Sequence, residues 1–140
     1  PPPVPSEAVR SLGLTLDVKL SMDAQVSRTC GVCIGLLRCI RKLVPLLSQS
    51  TLLTIISATI LSRIDYGNSL YLGLPASSTS KLQIVVNDAA RMIVGKSRSM
   101  PATSILKNLH WLPVMQRIQF KVLCLVFKVV HQLAPTFVTQ

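Results

Sequence analysis

Four stretches of this 140-residue chain place apolar residues at helical spacing, and each runs into a proline or glycine. Val26, Cys30, Cys33, Ile34, Leu37, Ile40 and Val44 lead to Pro45. Leu53, Ile56, Ile60 and Ile64 lead to Gly67-Asn68. Leu82, Val85, Val86, Ala89, Ala90, Ile93 and Val94 lead to Gly95. Val114, Ile118, Val122, Leu125 and Val129 lead towards Pro135. Recurrence every three or four residues gives a helix one apolar stripe, and Pro or Gly just beyond the stripe stops it. The spacing predicts a helix from Ser21, its N-cap, to Pro45, and a second from about Ser50 to Tyr66. A third is expected from a cap at Ser78–Ser80 to Gly95, a short fourth over Ala102 to Leu109, and a long fifth starting at Pro113. Only Leu12 to Leu16 alternates strictly. That reads as a strand, with Gly13 a bulge or a close backbone approach and Asp17 its end. The expected fold is mainly α: about five helices preceded by one short β-strand, with residues 1–20 extended and 21–140 helical.

The charge is lopsided. Fifteen Lys and Arg against five Asp and Glu give a net charge of +10 and a pI near 10.1. Residues of the hydrophobic class make up 49%, too many for a disordered basic tail. A cationic folded chain points to an anionic partner, nucleic acid first and anionic membrane second, against the plain alternative of a wet basic surface. The acids Glu7, Asp17, Asp23, Asp65 and Asp88 stand apart in sequence. With two histidines they compose neither a triad nor a carboxylate pair, and no glycine pattern cradles phosphate. These features argue against an autonomous enzyme.

Cys30-x-x-Cys33 invites a zinc reading, but zinc takes four ligands and there is no second tight pair. Both cysteines fall on the apolar stripe, so core packing is the expectation, with all four cysteines as free thiols. The opening Pro1-Pro2-Pro3-Val4-Pro5 does not resemble a secretory signal, and with no initiator Met the chain reads as an intracellular fragment of nucleus or cytoplasm. Leu43 to Ser62 is uncharged for 20 residues, yet Pro45, Ser48, Gln49 and Ser50 interrupt its first half. It reads as a turn and a buried helix, not a membrane span.

On the last helix Phe120, Leu123, Phe127 and Val130 form a second apolar face, which predicts a helix covered on two sides. Between the faces run Arg117, Lys121, Cys124, Lys128 and His131, a basic stripe. Arg28, Arg38 and Lys42 lie on the polar side of the first helix, and Lys96 and Arg98 form a basic loop. These eight Arg and Lys residues are the candidate nucleic-acid contacts. Trp111, among Leu109, Leu112 and Val114, reads as a packing anchor, with Pro113 fixing the corner.

Several motifs carry a resemblance. Val9 to Asp17, Leu61-Ser62-Arg63-Ile64-Asp65-Tyr66-Gly67-Asn68-Ser69-Leu70, Gly73-Leu74-Pro75, Leu82-Gln83 through Asn87, Ala89-Ala90-Arg91, Leu109-His110-Trp111-Leu112-Pro113-Val114, Arg117-Ile118-x-Phe120-Lys121 and Phe127-Lys128-x-x-His131-x-x-Ala134-Pro135 occur in one order. Together, over about Pro5 to Val138, the chain resembles the reverse transcriptase of non-LTR (LINE-type, jockey-like) retrotransposons, just downstream of the catalytic palm. The resemblance implies a primer-grip-like element at Leu12-Gly13 followed by a thumb-like bundle that holds a template-primer duplex. It implies an RNA-directed DNA polymerase whose Mg2+ is held by a Tyr-x-Asp-Asp motif. This sequence has no such motif, so no cofactor and no catalytic residue is expected here. Asp65 is expected to cap or pair at a helix end. The family commonly has Cys where Gly67 stands, and small or amide residues where Val86 and Asp88 stand. The competing readings are a domesticated or decayed helical protein-interaction module and a membrane-associated basic peptide.

Overall fold

A computed structural model describes residues 8–95 and 100–135. Its N-terminal element is a two-stranded antiparallel hairpin, β1 (Ala8–Ser11) and β2 (Leu14–Asp17), with Val9 opposite Leu16 and Ser11 opposite Leu14. This corrects the single strand read from the sequence. Leu12-Gly13 is neither strand nor bulge but the two-residue turn, with φ of +47° and +84°. Positive φ at both central residues matches the right-handed twist of the strands.

Five helices follow. The first, α1 (Asp23–Leu43), ends before a 3-10 turn at Val44–Leu46 that contains Pro45. The second, α2, runs over 49–65, with a π-helical turn at Ser57–Leu61 between α-helical Gln49–Ile56 and Ser62–Asp65. Ser48 caps it, its hydroxyl accepting from the Thr51 N–H at 3.2 Å. Gly67, at φ +66°, turns the chain into a 3-10 segment, Asn68–Tyr71. Then come α3 (Ala76–Val94), α4 (Ala102–Asn108) and α5 (Val114–Val130). The mainly helical expectation holds, and among the described residues no helix is long and apolar enough to cross a membrane.

Two N-caps differ from the sequence reading. Met22, in the left-handed region, precedes α1, and Asp17 holds that corner. The Asp17 carboxylate accepts from the Ser21 N–H at 2.9 Å, the Ser21 hydroxyl at 2.8 Å and the Met22 N–H at 3.1 Å. A carboxylate from the preceding strand thus satisfies the approach to the helix in place of a Ser21 cap. α3 begins at Ala76 after Pro75, so Ser78 and Thr79 lie inside the helix and are buried. The Ser78 hydroxyl donates to Asp23 at 2.8 Å, joining the starts of α1 and α3.

The core forms between α1, α2 and α3. Cys33, Ile56, Ile60, Tyr71, Leu82, Val86, Ala89 and Ile118 are completely buried. Burial pushes the Cys33 thiol up to about 11, and raises Cys30 as well. Both are protonated at neutral pH and pack as small apolar groups. Trp111 is buried where α4 meets α5, and its backbone N–H donates to the Leu106 carbonyl at 2.8 Å.

The expected two-sided burial of the last helix does not occur among the described residues. Val114 and Ile118 are buried, but Phe120, Leu123, Phe127 and Val130 are 56–70% exposed. One face of α5 meets α3 and the Asn68–Tyr71 segment, and only near its start.

Candidate functional site

An open cleft of about 420 Å³ lies between the hairpin, α1 and α2. Arg10 of β1, Arg28 of α1 and Arg63 of α2 all line it, and among the described residues no acid does. Gly13, Thr59, Ser62 and Tyr66 contribute backbone and hydroxyl groups. Gln25 and Thr29, each 7% exposed, form part of the wall.

Local chemistry builds each wall. In α2 the Thr54, Thr59 and Ser62 hydroxyls donate back to the carbonyls of Ser50, Ile55 and Ala58, four residues earlier. Such back-bonding bends helices. The π-turn falls in this hydroxyl-rich stretch and carries Ala58 and Thr59 to the cleft; π-turns recur at functional sites. The hairpin is pinned at three points. The Tyr66 hydroxyl donates to the Leu12 carbonyl at 2.6 Å. The Thr15 N–H donates to the Gln25 amide oxygen at 2.9 Å. Leu14 is buried against Gly67, where a Cβ would stand 2.7 Å from Leu14 Cδ1.

Beneath the cleft, Gln25 Nε2 donates to Thr29 at 3.2 Å. The neighbouring Tyr71 phenol is fully buried. Burial raises its pKa, offset in part by the Thr29 and Gln25 side chains beside it, though neither reaches its hydroxyl in good hydrogen-bond geometry.

The four described acids are occupied elsewhere. Asp17 holds the hairpin corner and Asp23 accepts from Ser78. Asp65 accepts from Arg117 at 2.8 Å, and Asp88 lies 3.8 Å from Arg91. Asp65 therefore does pair at a helix end. Arg117 does not stand free in the basic stripe as expected: it bridges Asp65 and the Leu112 carbonyl, the latter at 2.8 Å from Nε, and clasps α5 to α2. Its neighbour Lys121 stays exposed, as do Lys128, Arg38 and Lys42. Of the residues singled out in sequence, Arg28 and Gly13 meet in the cleft, while Leu12 is exposed at its rim. Lys96 and Arg98 lie outside the described residues. Pro113 stands just before α5 rather than at its first position. The Val114 N–H donates to the Gln83 amide oxygen at 2.7 Å, so Gln83 caps the helix start.

Sequence reasoning misses Arg10 and Arg63. They are 53 positions apart, and only the folded-back hairpin brings them together. Both stand within motifs of the resemblance, Arg10 in Val9 to Asp17 and Arg63 in Leu61 to Leu70, and that is the one available signal. Among the described residues, no group of three or more His, Cys, Asp or Glu is placed to hold a metal ion. Compared with protein-family models, curated proteins and solved structures, the chain matches none.

Proposed function

We propose that this chain is a nucleic-acid-holding, thumb-like piece of a retrotransposon RNA-directed DNA polymerase, and that it has no polymerase activity alone. The observation that carries the binding reading is the cleft with Arg10, Arg28 and Arg63 on its walls and no acid among the described residues that line it. Guanidinium groups match phosphate oxygens with paired donors and stay charged at any physiological pH. A cleft open to solvent suits a continuous backbone better than a small enclosed ligand. The polymerase origin rests on the ordered motifs of the sequence, and the cleft supports it because the primer-grip-like Gly13 lines the same space. Inactivity follows from the carboxylates: two-metal chemistry needs them together, and here the nearest pair, Asp17 and Asp23, is six residues apart and engaged in holding helix starts.

The test is a titration of the protein with an RNA–DNA duplex, by fluorescence anisotropy, from low to moderate salt. Removing one phosphate contact should reduce the slope of log K against log salt by about one unit, with little dependence on base sequence. Arg28→Gln with Arg63→Gln should lower both affinity and slope. Lys121→Gln with Lys128→Gln measures what the exposed stripe of α5 adds. Binding and salt slope unchanged in the first variant would remove the cleft from the interface.

A further inference from the structure

The outer side of α5 carries a second feature that nucleic-acid binding does not use. Phe120, Leu123, Val126, Phe127, Val130 and Leu133 are each more than half exposed and line one apolar groove of about 680 Å³. Phe120, Leu123, Phe127 and Val130 follow a three-four-three spacing, which places them along one seam of the helix. At 100° per residue this seam lies opposite Val114 and Ile118, the residues that face the core. The exposed apolar area is on the order of 600 Å², at the top of what a monomer ordinarily leaves uncovered and near one partner's share of a standard interface.

The charge along this helix selects the occupant. Val114–Val130 contains no Asp or Glu, and exposed Lys128 lines one edge of the groove, with Lys121 exposed two turns earlier on the same side of the helix. On the same side His131 is held against Phe127, with ring centroids 4.1 Å apart. A second copy laid on this face would set cations against cations, and the only described acid near the helix, Asp65, is already bound to Arg117. We propose that the outer face of α5 docks an amphipathic helix whose apolar stripe is bordered along one edge by Asp and Glu. The apolar seam supplies the affinity and the lysines along one edge supply the selection.

The probe is a designed helical peptide with Leu along one stripe and Glu along one edge of it, paired with a twin carrying Lys at those positions. Fluorescence anisotropy should give at least tenfold tighter binding of the Glu-edged peptide. Leu123→Ser with Phe127→Ser should weaken that binding at least tenfold with an unchanged thermal midpoint, since both side chains are exposed. Lys121→Gln with Lys128→Gln should narrow the preference between the peptides. Equal binding of both peptides, or full binding by the serine variant, would overturn the proposal. So would a dimer in sedimentation velocity that the serine variant abolishes, which assigns the face to a second copy. Cosedimentation with phosphatidylserine vesicles that the serine variant abolishes would likewise overturn it, assigning the face to lipid.

Discussion

Gly67 turns the chain at φ +66°, and a Cβ there would press on Leu14, the buried residue that seats the hairpin. The resembling family commonly has Cys at this position. Gly67→Cys in this chain should cost about 1–2 kcal/mol, the penalty of a left-handed residue with a side chain. Urea unfolding reads it, and an unchanged or raised midpoint would contradict the contact. Asp17 is the other residue that the hairpin depends on. Its pKa lies below the ordinary 3.8, first because of the Ser21 N–H and then the Ser21 hydroxyl. The charged form is favoured in the fold, so its stabilisation is present above the unfolded-state value and fades as pH falls through the lower folded-state value. Asp17→Asn should lower the thermal midpoint at pH 7, and its deficit should shrink below about pH 4. A deficit that is the same at pH 7 and pH 2.5 would deny the carboxylate this role. At this scale part of the local chemistry was legible: Cys30 and Cys33 in the core follow from the stripe they share, the burial of Trp111 from its apolar neighbours, and the pairing of Asp65 from its place at a helix end. Arg117 was not, because its position on the helix gave no sign that Asp65, 52 residues earlier, would draw it inward.

Among the elements, α1 holds two glycines that its packing does not require. Gly31 and Gly35 face solvent, and an added Cβ meets nothing within 4 Å. Each Gly→Ala change should raise stability by about 0.5–1 kcal/mol through helix propensity. Thermal midpoints check this, and a fall in either would mean that the face is covered. Trp111→Ala removes the joint between α4 and α5 and should cost about 3–5 kcal/mol. A variant that melts like the parent would show that the ring is not the anchor. The helices were legible because period, proline and glycine agree. The hairpin was not, because its turn uses Leu12 where Asn, Asp or Gly usually takes a positive φ. On α5 the two apolar stripes were read correctly as stripes. Covering the second needs something beyond the described residues of this chain, which a periodicity does not reveal.

Across the whole molecule, the motifs behind the resemblance serve largely as fastenings. Tyr66 ties the hairpin to the end of α2, Asp65 ties α2 to α5 through Arg117, and Gln83 in α3 holds the start of α5. These fastenings join segments far apart in sequence and leave two surfaces at the periphery, a basic cleft and an apolar helix face. Composition predicted that cations would find an anionic partner, but only the fold says which cations share a space, since Arg10 and Arg63 meet through the hairpin. The most direct measurement is a map of backbone amide shifts as an RNA–DNA duplex is titrated into the isotopically labelled protein. The account predicts that the largest shifts fall on residues 10–13, on Arg28 and Thr29, and on Thr59 to Tyr66, and that they fade as salt rises. Shifts confined to Phe120–Leu133, or none at duplex concentrations well above micromolar, would contradict it.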